Sequence, residues 1–78
     1  MKITYDPEVD AAYISVIEKI GAGEAVQQVS FIDTPNGESQ LNLDFDAAGR
    51  LLGVEVLVAS KALMSEVLAA AAPPGDVA

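Results

Sequence analysis

Gln40-Leu41-Asn42-Leu43-Asp44-Phe45-Asp46-Ala47-Ala48-Gly49-Arg50-Leu51-Leu52-Gly53-Val54-Glu55-Val56-Leu57-Val58 is the stretch that decides the fold. Before its midpoint, Leu41, Leu43 and Phe45 alternate with Asn42 and Asp44; after it, Leu52, Val54, Val56 and Val58 recur at every second position. Successive side chains of a strand point to opposite faces, so residues 40–45 and 50–58 read as two half-buried strands. Between them Asp46 offers a carboxylate to nearby backbone N–H groups and Gly49 tolerates positive φ, so the strands close as a hairpin.

The same residues fit a second pattern. Asp44, Asp46 and Glu55 fall at positions one, three and twelve of a calcium-binding EF-hand loop, with Gly49 at position six. A divalent-metal or small-ligand module built on Asp44, Asp46 and Glu55 is therefore the alternative functional reading. The flanks decide against it, because they alternate with period two where an EF-hand has helices, and Ala48 fails the fifth position. In an extended strand Glu55 lies about 20 Å from Gly49, at ~3.3 Å per residue, so it meets Asp44 only from across the hairpin. We expect no metal ligand and no cofactor.

Working outward, residues 2–6 alternate as a strand, and Asp6-Pro7-Glu8-Val9-Asp10 breaks it. Asp6 and Asp10 are expected to bond turn N–H groups there. Residues 12–17 and 24–32 read as further strands, and Pro35-Asn36-Gly37 is a hairpin signal, with Asn36 and Gly37 suited to a tight primed turn. Ser60 reads as the N-cap of a helix over residues 61–72, in which Leu63, Met64, Val67, Leu68 and Ala71 form one apolar stripe and Met64 fills a core gap. Pro73-Pro74-Gly75 ends it. The expected organisation is one α+β domain over residues 1–72, with an antiparallel sheet of four to five strands and one C-terminal helix on one face, and a flexible tail over 73–78.

Composition narrows the function classes. The 78 residues are 51% hydrophobic, outside the range of disordered chains. Cysteine and histidine are both absent, which excludes thiolate nucleophiles, sulfur metal sites and Ser-His-Asp chemistry. Ser15, Ser30, Ser39, Ser60 and Ser65 have no base to activate them. Twelve carboxylates against four cations give a net charge of −8, a field that repels nucleic acid and anionic lipid. No apolar run approaches the ~20 residues of a membrane span, and the acidic N-terminal stretch is no signal peptide. The expectation is a cytoplasmic protein that is not an enzyme.

Several short motifs occur together: Met1-Lys2-Ile3-Thr4-Tyr5-Asp6, Asp10, Tyr13-Ile14, Asp44-Phe45-Asp46 with Gly49-Arg50, Gly53-Val54-Glu55-Val56 and Ala59-Ser60-Lys61. In that combination the chain resembles a small bacterial family of domains of unknown function, family 2283. The resemblance implies a stand-alone domain of four or five strands plus a helix, and no activity. Some members are encoded beside small toxin-like proteins, which implies a basic protein as one candidate partner. The connection over residues 33–39 is longer than in the family's usual pattern.

Area supplies the remaining expectation. Five strands ~4.8 Å apart span about 19 Å, and one helix about 10–12 Å across cannot cover them. Something must shield the remaining apolar face, and a second copy of the chain is the expected cover, giving a homodimer.

Overall fold

The structure, a computed structural model, describes residues 1–74. Five strands, β1 (Lys2–Asp6), β2 (Ala11–Ser15), β3 (Gln27–Asp33), β4 (Gln40–Phe45) and β5 (Leu51–Leu57), precede a 3₁₀ turn (Ala59–Lys61) and a short helix, α1 (Ser65–Ala70). The expected tail over 73–78 falls from residue 75 onward outside the described residues. All pairings are antiparallel, in the order β1-β2-β5-β4-β3. Residues 16–26 carry the chain from β2 past β5 and β4 to the far edge, a Greek-key path. The α+β fold expected from the alternating runs is the one observed.

Register turns that alternation into two apolar rows across the sheet. Tyr5, Ala12, Val56, Leu41 and Ile32 stand opposite one another in sequence across β1, β2, β5, β4 and β3. Ile3, Ile14, Val54, Leu43 and Val29 make the second row. The 3₁₀ turn and α1 lie on this face at its β1-β2-β5 side: Ala59, with 0% exposure, joins Ala12 and Val56, and Leu63 and Leu68 pack around them. Burial of the Val56 side chain contributes about 1.5–3 kcal/mol and each alanine methyl about 0.8 kcal/mol, so this cluster anchors the C-terminal segment.

That segment departs from the continuous helix expected over 61–72. Ser60 is not its cap: the Ser60 hydroxyl donates to Asp10 Oδ2 at 2.7 Å and its N–H to Asp10 Oδ1 at 2.9 Å. The Lys61 carbonyl, which a helix would need, accepts instead from Asn36 Nδ2 at 3.0 Å. The helix therefore starts late, with Met64 in the N-cap position, extended and 66% exposed rather than filling the core. It also ends early, at Ala70, because Ala72 turns to pair with β1. The Ala72 carbonyl accepts from Tyr5 N–H and the Ala72 N–H donates to the Ile3 carbonyl, both at 2.9 Å. Among the described residues, the outer edge of β3 is left without such a cover.

Other bounds shift for local reasons. Strand β5 stops at Leu57, since Val58 takes a left-handed φ of 54° while Ser39 Oγ and Lys61 N–H bond its carbonyl. Residues 24–26 lie outside β3; Glu24 is instead tied to Gly21, its carboxylate accepting the Gly21 N–H at 2.9 Å. Between β3 and β4 only Gly37 is left-handed (φ 72°), and its N–H donates to the Thr34 carbonyl, so the connection is a wider loop than a primed two-residue turn.

The Asp46–Gly49 connection is a three-residue hairpin loop of the type that ends in a left-handed residue. Asp46 N–H donates to the Arg50 carbonyl at 2.9 Å, Gly49 N–H to the Asp46 carbonyl at 3.0 Å, and Gly49 has φ 82°. The Asp46 carboxylate accepts the N–H groups of Ala48 and Arg50 and the Arg50 guanidinium, each at 2.9 Å. A β-branched residue is strained at positive φ, so Gly49→Val is expected to cost at least about 1 kcal/mol. That corresponds to a melting point lower by roughly 4–8 °C; an unchanged melting curve would contradict it.

Candidate functional site

The acids singled out by spacing do not converge. Asp44 accepts from Tyr13 and Gln28, Asp46 is engaged within its own turn, and Glu55 accepts from Asn42 Nδ2 at 2.8 Å. Among the described residues no group of three or more acids could hold a metal ion. The hairpin that brings Glu55 opposite Asn42 sets Asp44 opposite Gly53, so the EF-hand arrangement of Asp44, Asp46 and Glu55 does not form.

At the first turn, Asp6 Oδ1 accepts the Glu8 N–H at 3.0 Å. Asp10 does something that local reading missed. With φ 54° it turns its carboxylate towards the far end of the chain, where Oδ1 accepts from Tyr5 hydroxyl at 2.8 Å and from Ser60 N–H. Its carbonyl accepts the Ala59 N–H at 2.9 Å. Asp10 thus clamps the 3₁₀ turn onto the β1–β2 turn. The Ser60 and Tyr5 hydroxyl bonds hold its carboxyl below the usual carboxylate range.

The face opposite the apolar rows carries Thr4, Tyr13, Glu55 and Asn42 in one line and Lys2, Ser15, Gly53, Asp44 and Gln28 in the next. Tyr13 leans diagonally across β5 to donate its hydroxyl to Asp44 Oδ2 on β4 at 2.9 Å. It passes directly over Gly53, where an added Cβ would overlap the phenol. Gly53 was a readable signal, since glycine inside a strand marks a close approach. Burial, and then the bond to Asp44 and the charges of Asp44 and Glu55, push the Tyr13 phenol far above its ordinary value. The phenol therefore keeps its proton near neutral pH and donates it to Asp44.

Beside Tyr13 this face is recessed. Lys2, Thr4, Tyr13 and Ser15 form the floor, and Glu18, Lys19 and Ile20 from the loop after β2 form a wall, enclosing a groove of about 420 Å³. On the apolar side, the rows run out uncovered towards β3, where Val29 is 50% exposed; Phe31, in the bulge of the same strand, is 68% exposed. A bulge between Val29 and Ile32, with Phe31 at φ 59° and its N–H donated to Asn42 Oδ1, distorts that edge.

The Asp10 clamp, the Tyr13–Asp44 bridge and the Asp46 turn all fall within residues 2–60, which match a family model described as "Protein of unknown function (DUF2283)". The chain belongs to that family. Residues 61–74, including α1 and the strand-like contact at Ala72, lie beyond the match. No curated protein and no solved structure matches the chain.

Two outcomes follow from this geometry. Gly53→Ala displaces Tyr13, and overpacking with loss of the Asp44 bond is expected to cost about 1–3 kcal/mol. In the Gly53→Ala/Tyr13→Ala double variant the alanine has room, so the two costs fall short of additive; additive losses in denaturant unfolding would contradict the contact. For Asp10, a folded-state pKa below the unfolded one gives stability that is present above the ordinary carboxylate value of about 4 and is lost as pH falls below it. The melting temperature is expected to fall on acidification through that range, and less steeply in Asp10→Asn; equal slopes would remove Asp10 from the account.

Proposed function

We propose that this chain is a non-catalytic interaction domain whose first partner is a second copy of itself. The observation that carries the reading is the uncovered end of the apolar rows at β3, where Val29 and Phe31 stand half to two-thirds exposed. Contiguous exposed apolar surface of this kind usually marks an interface. Charge distribution supports it: residues 25–32 contain no charged side chain in a molecule of net charge −8, so two copies can meet there without opposing their carboxylates. A non-catalytic role is supported by the lack of histidine and cysteine and by the bonding of Asp44, Asp46 and Glu55 within the fold.

The strong negative charge favours a basic protein as a second class of partner and disfavours nucleic acid and anionic membrane surfaces. No helix of the described residues is long and apolar enough to cross a membrane. A cytoplasmic setting fits a chain without cysteine, which has no disulfide to form.

Sedimentation equilibrium at micromolar concentration tests the self-association. The expected species has twice the chain mass of 8.1 kDa. Phe31→Asn should dissociate it while leaving the fold intact, because asparagine is at ease at the left-handed φ of 59° that Phe31 occupies. A single 8.1 kDa species for the unaltered protein would sink the reading.

A further inference from the structure

At Val58, directly after β5, local preference and observed backbone pull apart. Its side chain continues the alternation of Leu52, Val54 and Val56, a pattern that favours extended backbone. The backbone is instead left-handed, with φ 54° and ψ 54°. Aspartate tolerates that region through its short polar side chain, as Asp10 does in this fold, but a β-branched residue is strained there. The strain gains no burial for the side chain, which is 44% exposed. What it achieves is a reversal: the chain folds back at once and lays Ala59 on Ala12 and Val56.

Everything after this hinge meets the rest of the fold as one separable piece. The Ala59 N–H and the Ser60 N–H and hydroxyl donate to Asp10, the Lys61 carbonyl accepts from Asn36, and Ala72 bonds with Ile3 and Tyr5. All of those partners precede the hinge in sequence. The piece is also loosely seated. Helix α1 has no buried residue, and Glu66, Val67, Ala70 and Ala71 leave a groove of about 420 Å³ against Ile3. The same segment of another chain can make each of these contacts without any change at the contact itself. Only the hinge differs: within one chain Val58 must be left-handed, whereas between two chains it can prolong β5 as its alternation favours.

We propose that residues 59–72 are exchanged between two copies of the chain, with Val58 as the hinge. In the exchanged dimer each Ala59 seats in the other copy and each Ala72 caps the other copy's β1. Reciprocal exchange closes a two-fold pair and leaves no contact of the segment unfilled. A tethered segment competes at an effective concentration in the millimolar range, so the closed chain prevails in dilute solution and exchange takes place between chains folding together at ~1 mM. The surface is separate from β3, and the exchange does not depend on the self-association proposed there.

A chain without cysteine allows a two-chain test. Thr4 and Ala72 are bridge partners, and adjacent strands lie about 4.8 Å apart, within the Cα separation that a disulfide spans. Thr4→Cys and Ala72→Cys are placed in separate chains, both carrying Phe31→Asn to remove association at β3. The two variants are unfolded, refolded together at ~1 mM and oxidised. Exchange is expected to give a covalent heterodimer of twice 8.1 kDa, joined between positions 4 and 72. Its yield should exceed the covalent dimer from either variant alone at least about tenfold. Adding Val58→Gly, which relieves the closed chain of its strain, should lower that yield at least about tenfold. A heterodimer no more abundant than in the single-variant controls, or a yield unchanged by Val58→Gly, would overturn the proposal. Because Phe31→Asn is present throughout, this result and the sedimentation result stand or fall separately.

Discussion

The structure depends on one close crossing: the backbone at Ala59 rests directly on Ala12 and Val56, with no accessible surface left on Ala59 itself. Only a methyl-sized side chain permits that approach, because interiors pack at near-crystalline density and an added methylene must displace a neighbour. Asp10 holds the crossing in place by accepting the Ala59 N–H on its carbonyl and the Ser60 N–H and hydroxyl on its carboxylate. Leu63, Leu68 and the Ala72 contact with β1 all lie downstream of that point. If the crossing slid, the C-terminal segment would lose its position over the apolar rows.

How much of this was legible varied with the distance over which each interaction acts. The bounds of β1 and β4 could be read directly, because alternation and the flanking turn residues coincide with the ladder ends. The hairpin at Asp46–Gly49 was readable for the same reason. The C-terminal helix was not, since a helical apolar period over residues 61–72 says nothing about a carbonyl being claimed by Asn36, 25 positions earlier. The bulge in β3 had no local signal either: phenylalanine is not a turn former, and its left-handed backbone is stabilised by Asn42 on the next strand. Asp10 and Ser60 were each noticed for a local role, as turn and cap, and their bond across 50 positions replaced both. Gly53 alone announced a tertiary contact, through the absence of a side chain where a strand would have one.

The two sides of the sheet are built on different terms. One uses area: two apolar rows, half covered by the chain's own C-terminal segment. The other uses partners: Tyr13, Asp44, Gln28 and Ser30 form one bonded series, and Glu55, Asn42 and the Phe31 N–H another. One bond to each oxygen of Asp44, from a phenol and from an amide, fixes the orientation of that carboxylate. The polar face therefore supplies rigidity near Tyr13.

The contact of Ala72 with β1 has a consequence for growth. A sheet with two open edges can be extended indefinitely, each added chain presenting a fresh edge to the next, which is the geometry of a fibre. Here one end is stoppered by two main-chain hydrogen bonds from the chain itself, and the other end is kinked by the β3 bulge. Among the described residues only the β3 edge is left open, so any strand-wise addition would stop after one step. Displacing the stopper would open the β1 edge as well, leaving a sheet that can be extended at both ends.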